Sequence, residues 1–179
     1  MDDENFVHVS FDWATELQRR VGIVVHAMLQ QMDERRGFDV HPSTIAAALT
    51  AEGLDGERLR EGIVRVERAL RSTVSDRRGR WILDRHEDDQ REFALTGVVA
   101  GRVRRFILDR TFVESGHRWI IDYKTGTHEG GDVEAFLDNE QERYRAQLES
   151  YAMLVSRMDS RPIRLGLYFP MLQAWREWS

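Results

Sequence analysis

The segment WIIDYKTG, from Trp119 to Gly126, ends a run of apolar residues with an acid and, two positions later, a lysine. In a β-strand, residues two positions apart point to the same face, so Asp122 and Lys124 are predicted to emerge side by side. A charge removed from water is costly unless it is paired or coordinates an ion. The strand end is therefore either a local ion pair or a site for chemistry.

A second acid, Asp109, lies in FILDRTFV, the apolar run that precedes HRWIIDYK. The turn sequence ESGH between the two runs predicts a β-hairpin, which places Asp109 and Asp122 on adjacent strands but not directly opposite each other. Two carboxylates that converge near a lysine are not explained by one ion pair, because they repel unless a cation lies between them. Hard divalent ions take such oxygen ligands, so the two acids form a candidate metal site.

Two predicted helices carry further polar residues on apolar faces. His26 lies in RRVGIVVHAML, where Gly22 would let another backbone approach closely. A lone histidine on such a face is more often a core residue than a ligand. On a later helix, RYRAQLESYAML places Tyr144, Gln147 and Tyr151 on one face. The tyrosines fit a packed core, whereas a glutamine on a buried stripe needs hydrogen-bond partners.

Composition narrows the kinds of site and partner. Hydrophobic residues make up 41% and charged residues 32% of the chain, as in a globular domain. No apolar run reaches the ~18 residues of a membrane span. The acidic start MDDENF is no signal peptide, so no membrane partner and a cytoplasmic location are expected. The absence of cysteine excludes disulfides, thiolate zinc sites and iron–sulfur clusters, which leaves oxygen and imidazole ligands for any metal.

Charge is distributed unevenly along the chain. The net charge of −5 does not favour nucleic-acid binding by the domain as a whole. Basic residues nevertheless cluster in RVRR, at residues 102–105, and at Arg110. On charge alone, such stretches are more often solvated faces than binding sites.

Hydrophobic periodicity predicts helices first and strands afterwards. Helical spacing predicts the following helices: 12–32, a short one through 46–49, 57–74 and a long one over 132–158. From residue 79, the runs WILD, REFALTGVV, RVRRFILDRTFV and HRWIIDYKT predict consecutive antiparallel strands. After the long helix, RPIRLGLYFP predicts a last strand, and WREWS an amphipathic tail.

This order of elements predicts an α+β fold with a mixed sheet and helices packed on it. We expect a single domain over residues 1–179. Within it, residues 1–78 form a mainly helical part, and residues 79–179 form the sheet and the chemical core.

Taken together, these residues resemble the PD-(D/E)xK nucleases, specifically the RecB-like nuclease domain at the C-terminus of bacterial helicase–nuclease subunits. The resemblance follows the order of the chain: His26 after a glycine on the first helix, Asp109 on a strand, DYK on the next strand, then Gln147 and Tyr151 on a helix. It implies a restriction-endonuclease-like core, a central mixed sheet with flanking helices. It also implies that the chain is part of a larger helicase–nuclease.

The resemblance assigns a role to each of these residues. The positions that match Asp109, Asp122, His26 and the backbone carbonyl of Tyr123 hold a divalent metal, Mg²⁺ or Mn²⁺, which offsets charge on the phosphate. The lysine matching Lys124 orients or activates the attacking water, so Asp109, Asp122 and Lys124 are the expected catalytic residues. With the acids neutralised by the metal, Lys124 would remain free for the phosphate. The expected substrate-contacting residues are Gln147, Tyr151, Arg102, Arg104, Arg105 and Arg110.

Two features depart from the family pattern. Family members commonly carry a glycine three residues before the first acid, where this chain has Phe106. In another register, the stretch TGVVAG would place Ala100 at the position of that acid, and Asp109 would then be an ordinary exposed acid. Glu92 is a further candidate acid or structural partner.

The sequence therefore predicts a metal-dependent DNA nuclease, an exonuclease that acts on single strands delivered by a helicase in DNA repair or recombination. DNA and the helicase portion of the parent protein are the expected partners. No G-x-x-x-x-G-K-[ST] phosphate loop is present, so no ATP site is expected. The alternative is a catalytically inactive DNA-binding or scaffolding domain of a repair complex.

Overall fold

A computed structural model describes the backbone of residues 3–32, 40–99, 101–128 and 130–179, and their side chains from residue 16 onward except at Val99. Within these residues the elements are α1 (Asp3–Gln31), α2 (Pro42–Ala51), α3 (Gly56–Ser75), α4 (Arg77–Leu83), β1 (Glu87–Val99), β2 (Arg102–Glu114), β3 (His117–Tyr123), α5 (Val133–Val155), β4 (Ile163–Phe169) and β5 (Ala174–Trp178). In this part of the chain, no helix is long and apolar enough to cross a membrane.

The five strands form one sheet in the order β1-β2-β3-β4-β5. Strands β3 and β4 are parallel, and every other neighbouring pair is antiparallel. A parallel connection needs a crossover, which α5 provides between β3 and β4. The predicted α+β fold with a mixed sheet, consistent with a restriction-endonuclease-like core, is therefore confirmed.

Helices cover both faces of the sheet. On the first face, α1 to α4 pack residues such as Leu29 and Leu70 against Phe112 and Ile121. On the second face, α5 packs Leu148 and its neighbours against the other set of strand residues. Because strand side chains alternate, β3 directs Ile121 and Tyr123 to the first face and directs Ile120 and Asp122 towards α5.

Two sequence predictions about the sheet were wrong. The run WILD was predicted as a strand, but it lies in and directly after α4. Asp76 caps this helix by accepting a hydrogen bond from the Gly79 N–H at 3.0 Å. A short apolar run does not distinguish a buried strand from a buried helical turn, and Ile82 and Leu83 fill the core from α4. WREWS was predicted as an amphipathic tail after the last strand, whereas most of it forms a further strand, β5, against β4.

Candidate active site

Asp109 and Asp122 meet where the pairing of β2 with β3 ends. The last paired residues are Arg110 and Ile121, and one further step along this register places Asp109 opposite Asp122. The expectation that the two acids are not directly opposite was therefore wrong. Beyond the last pair, a side chain replaces the backbone as the hydrogen-bond partner: Oδ2 of Asp109 accepts a hydrogen bond from the Tyr123 N–H at 2.9 Å.

A local twist of the β1–β2 hairpin sets the position of Asp109. Arg91 pairs with Arg110, and Phe93 pairs with Leu108. Although Leu108 and Arg110 are two residues apart, Leu108 packs towards α5 and Arg110 reaches Asp84 at the end of α4. Glu92, between the two pairs, has a left-handed φ of 47°, which strand residues rarely adopt. The regular alternation is broken here, so Asp109 lies at the point where the hairpin changes faces. Glu92 itself is exposed.

Lys124 lies between a carboxylate and an aromatic ring. Its Nζ is 2.6 Å from Oδ2 of Asp122 and 3.7 Å from the centre of the Tyr144 ring on α5. Its backbone N–H donates to the carbonyl of Tyr168 on β4 at 2.8 Å, which fixes the residue directly after β3. The contact with Asp122 is an ion pair and not a directed hydrogen bond, since Oδ2 lacks a partner of hydrogen-bond geometry among the described residues.

The placement of Lys124 and Tyr144 bears on two expectations. Lys124 forms with Asp122 the local ion pair that the sequence left open as one of two interpretations, and its expected freedom for a phosphate applies only when a metal neutralises the acids. Tyr144 was assigned to the core, and it does pack against the second core. Its ring also contacts the lysine, a further role that its position three residues before Gln147 could have signalled. Lys124 is also the only lysine in the chain, since every other basic residue apart from histidine is arginine.

His26 approaches the same acids from α1. Its Nδ1 lies 3.4 Å from Oδ2 of Asp109, and its ring meets the ring of Tyr123 edge-on at 5.9 Å between centroids. Gly22, one turn earlier, permits this approach: a Cβ there would lie 2.9 Å from Oγ1 of Thr125. The close neighbour of Gly22 is therefore a side chain in the loop after β3, not another backbone.

Burial dominates the electrostatics of this cluster. Burial and the nearby charge of Asp109 raise the pKa of Asp122 to about 6, although Lys124 and His26 act in the opposite direction. Burial alone would lower the pKa of His26, but its contact with Asp109 and the charges of both acids outweigh this effect and raise it. For Lys124, the charge of Asp122 likewise outweighs burial, so its pKa is raised and it stays protonated.

A comparison of the sequence with protein families identifies this arrangement. The family model of the PD-(D/E)XK nuclease superfamily matches residues 8–174, which is nearly the whole chain. The chain belongs to the PD-(D/E)XK nuclease superfamily. No curated protein matches the sequence at a significant level.

Membership of the PD-(D/E)XK superfamily indicates a nuclease, and nucleases of this superfamily generally use divalent metals. The side chains of His26, Asp109 and Asp122 are the donor types that a hard cation accepts. As they stand, however, no group of three or more His, Cys, Asp or Glu residues in the described part of the chain is arranged to hold a metal. The cause is visible in the contacts: Asp122 is paired with Lys124, and Asp109 is engaged by His26 and the Tyr123 N–H.

Gln147 and Tyr151 lie on α5 close to the cluster. The Gln147 Nε2 donates to Oη of Tyr151 at 2.6 Å. Tyr151 is buried, and its ring meets that of Phe106 edge-on at 5.5 Å. Gln147 is exposed, so the expectation that it lies on a buried stripe was wrong. Its amide oxygen faces no hydrogen-bond partner among the described residues, which leaves it available to a substrate.

The predicted basic residues divide into two groups. Arg102, Arg104 and Arg105 are exposed on β2 near the tip of the hairpin. Arg110 is only 1% exposed, so its assignment as a substrate contact was wrong. Its Nη2 donates to Oδ2 of Asp89 at 2.8 Å and to the carbonyl of Asp84 at 2.9 Å. The twist at Glu92 turns Arg110 inward, and no residue pattern around Glu92 signals such a twist.

Ala100, which the alternative register placed at the position of the first acid, lies outside the described residues. In contrast, the observed register of β2 and β3 brings Asp109 next to Asp122. Phe106 stands in place of the glycine common in the family, and its ring packs against Tyr151 of α5. The bulkier residue is accommodated there as part of the second core.

Proposed function

We propose that this chain is a metal-dependent deoxyribonuclease that hydrolyses phosphodiester bonds in DNA. The observation that carries the proposal is the convergence of Asp109, Asp122 and Lys124 at the end of β3, with His26 approaching from α1. A scaffold has no need of two acids, one of them buried, next to the only lysine of the chain. Their combined desolvation and mutual repulsion lower stability, which indicates a functional requirement.

His26, Asp109, Asp122 and the carbonyl of Tyr123 would hold the cation, Mg²⁺ or Mn²⁺. When bound, it would act as a Lewis acid that offsets the negative charge of the reacting phosphate. These residues suit such a cation because hard cations accept carboxylate, carbonyl and imidazole ligands. In addition, Oδ2 of Asp122 is a buried oxygen with no directed hydrogen bond among the described residues.

The chain's own residues do the positioning. Lys124 stays protonated and is held by Asp122 and the Tyr144 ring, so it presents a positive charge at the end of β3. There it stabilises charge that develops on the phosphate oxygens and orients the attacking water. Gln147, held by Tyr151, faces solvent beside it and is placed to contact the sugar–phosphate backbone. Asp109, held by the Tyr123 N–H, keeps the ends of β2 and β3 together.

The cellular role belongs to the same proposal. The order of these residues resembles RecB-like domains of helicase–nuclease subunits. We therefore propose a single nuclease domain of a larger cytoplasmic repair or recombination protein. It would act as an exonuclease on a strand that the helicase portion delivers. A catalytically inactive DNA-binding domain is the second candidate, and the observation in its favour is that the described acids are not assembled into a three-ligand group.

A nuclease assay separates the two candidates. End-labelled single- and double-stranded DNA is incubated with the protein, with and without Mg²⁺ or Mn²⁺. Asp122→Asn is the test variant, and Asp55→Asn, at the exposed start of α3, is the matched control. We expect metal-dependent cleavage by the wild type and the control but not by Asp122→Asn. DNA binding without cleavage under every metal condition would support the inactive domain instead.

A further inference from the structure

Strands β1 and β2 continue beyond the end of their neighbour β3. Pairing between β2 and β3 involves only residues 110–114 of β2. Pairing between β1 and β2 continues from Phe93 with Leu108 as far as Val99 with Arg102. Residues 93–99 and 102–108 therefore form a two-stranded ribbon, here called the outer hairpin. It begins next to Asp109 and leads away from the candidate site.

One face of the outer hairpin is fixed to α5. Leu154 packs so closely on Gly97 that a Cβ at Gly97 would lie 2.3 Å from it, and Tyr151 packs on Phe106. The opposite face is open to solvent. Its apolar residues are among the most exposed in the described part of the chain: Val98 is 50%, Val103 75% and Ile107 50% exposed. The hairpin is thus a supported arm with one free face.

The charge of the outer hairpin is not compensated locally. Residues 93–108 contain three arginines and no acid. None of Arg102, Arg104 and Arg105 has an ion-pair partner within the described residues, although most arginines elsewhere in that part of the chain do. In a domain of net charge −5, this arm is a local positive surface next to the candidate site.

We propose that the outer hairpin is a binding arm for single-stranded DNA, which makes turnover depend on the length of the strand. The inference rests on the proposed nuclease function. Arg105 is four residues from Asp109 and Arg102 is seven, so they lie about 13 and 23 Å from it along the strand. At the phosphate spacing of one duplex strand, that distance covers about four to seven phosphates. An extended single strand covers it with fewer nucleotides.

Because side chains alternate along β2, Val103, Arg105 and Ile107 lie on the free face, whereas Arg102 and Arg104 point to the side of Phe106 but stay exposed near the tip. These side chains together favour a single strand over the other possible partners. In a duplex the base faces are stacked on one another, so exposed Val103 and Ile107 could meet only groove edges and thymine methyl groups there. A single strand presents base faces as well, which pack on apolar surface while arginines bind the phosphates. A protein partner would cover the apolar residues but would need acids opposite all three arginines.

Binding is measured first, by fluorescence anisotropy of labelled DNA in a metal-free buffer that prevents cleavage. The test variant combines Arg102→Ala, Arg104→Ala and Arg105→Ala. The control combines Arg60→Ala, Arg68→Ala and Arg85→Ala, three exposed arginines with the same total charge and no ion pair in the described structure. For a single strand of about 20 nucleotides, we expect the test variant to bind about tenfold more weakly and its salt slope to fall by about 2. The control should bind within about twofold of wild type.

The apolar contribution has its own variant. Val103→Ser combined with Ile107→Ser should weaken binding of the single strand and leave a duplex of equal length unaffected. If the arginine variant loses more affinity for the duplex than for the single strand, the single-strand assignment is wrong. If it binds both DNAs as the wild type does, or if the control loses as much, the binding arm itself is overturned.

Turnover then tests the dependence on length. On a strand of about 20 nucleotides, the arginine variant should show about a tenfold rise in KM with kcat within about twofold. On a strand of about two nucleotides, too short to reach even Arg105, the variant and the wild type should be equal. A kcat effect that is the same for both lengths would contradict the proposal. Should the wild type cleave no DNA while binding still depends on the three arginines, the nuclease assignment fails and the arm stands.

Discussion

Lys124 and Asp122 lie 2.6 Å apart, Nζ to Oδ2, on the face of β3 that meets α5. The lysine neutralises an acid that is 6% exposed and has no other cation as close to it among the described residues. The proposed metal ligand and the proposed catalytic lysine are thus held together in this structure. Any cation that binds Asp122 must compete with the ammonium for the same carboxylate, so chemistry and stability are coupled at this pair.

Lys124→Met should separate these two roles. Turnover is expected to fall by about 100-fold or more, because a positive charge aimed at the phosphate is removed. Without metal, the free energy of unfolding should fall by about 1–3 kcal/mol, because the variant leaves a buried carboxylate unpaired. Single-turnover cleavage and urea denaturation provide the two measurements. Cleavage close to that of the wild type, together with the stability loss, would assign Lys124 a purely structural role.

The raised pKa of Asp122 predicts how stability depends on pH. In the folded protein its pKa is about 6, above its ordinary value of 3.8, so the folded state binds the proton more tightly than the unfolded state does. Stability from this group is therefore fully present below about pH 4 and is lost as the pH rises through about 6, with an upper limit of about 3 kcal/mol.

Denaturation of metal-free protein at several pH values checks this. Asp122→Asn should be more stable than the wild type near pH 8, and the difference should vanish near pH 4, because the wild-type carboxyl is then neutral as well. Asp55→Asn, on the exposed start of α3, serves as the control and should track the wild type. A variant less stable than the wild type near pH 8 would mean that the ion pair with Lys124 outweighs the burial of Asp122.

Arg110, which is buried, pairs with the half-buried Asp89 and supports the site from the opposite face. Arg110→Met should destabilise the protein by about 1–3 kcal/mol, because it removes the partner of Asp89 at 2.8 Å and leaves only Arg91, at 3.6 Å. Combining it with Asp89→Leu should recover much of the loss, since both charges are then removed. Arg105→Met, on the exposed part of the same strand, should change stability by less than about 0.5 kcal/mol. Equal effects of Arg110→Met and Arg105→Met in thermal denaturation would contradict this assignment.

The alternation of side chains in β3 was sufficient to predict that Asp122 and Lys124 emerge together, because period-two patterns persist wherever a strand is regular. It failed at Arg110, since the left-handed Glu92 on the neighbouring strand reverses the faces, and a glutamate gives no sequence signal for such a conformation. The strand assigned to WILD failed for a different reason: a short apolar run fits either a buried strand or a helical turn. The pairing of Lys124 with Asp122 was one of the two interpretations that the sequence left open, but its length and burial depend on tertiary packing, which a linear sequence does not contain.

Gly22 gives a test of how closely α1 must approach the loop after Lys124. A Cβ at this position would lie 2.9 Å from Oγ1 of Thr125, closer than such atoms normally come, so Gly22→Ala must displace the Thr125 side chain, the loop or the helix. Since the helical propensity of alanine exceeds that of glycine by about 1 kcal/mol, the variant should lose little or no stability. Its turnover should nevertheless fall by about tenfold, because small displacements of catalytic groups have large effects on rate.

The second-site variant Thr125→Ala makes this prediction decisive. It removes the hydroxyl that the new methyl group would meet, so the double variant Gly22→Ala with Thr125→Ala should recover turnover and retain the gain in helix propensity. Thr125→Ala alone should stay within about threefold of wild type, because no hydrogen bond of its hydroxyl holds the described site together. Steady-state cleavage and thermal denaturation are measured for the wild type, the two single variants and the double variant, which form a double-mutant cycle. Full turnover by the single variant Gly22→Ala would show that the loop adjusts freely, and that the close approach of α1 does not position Lys124.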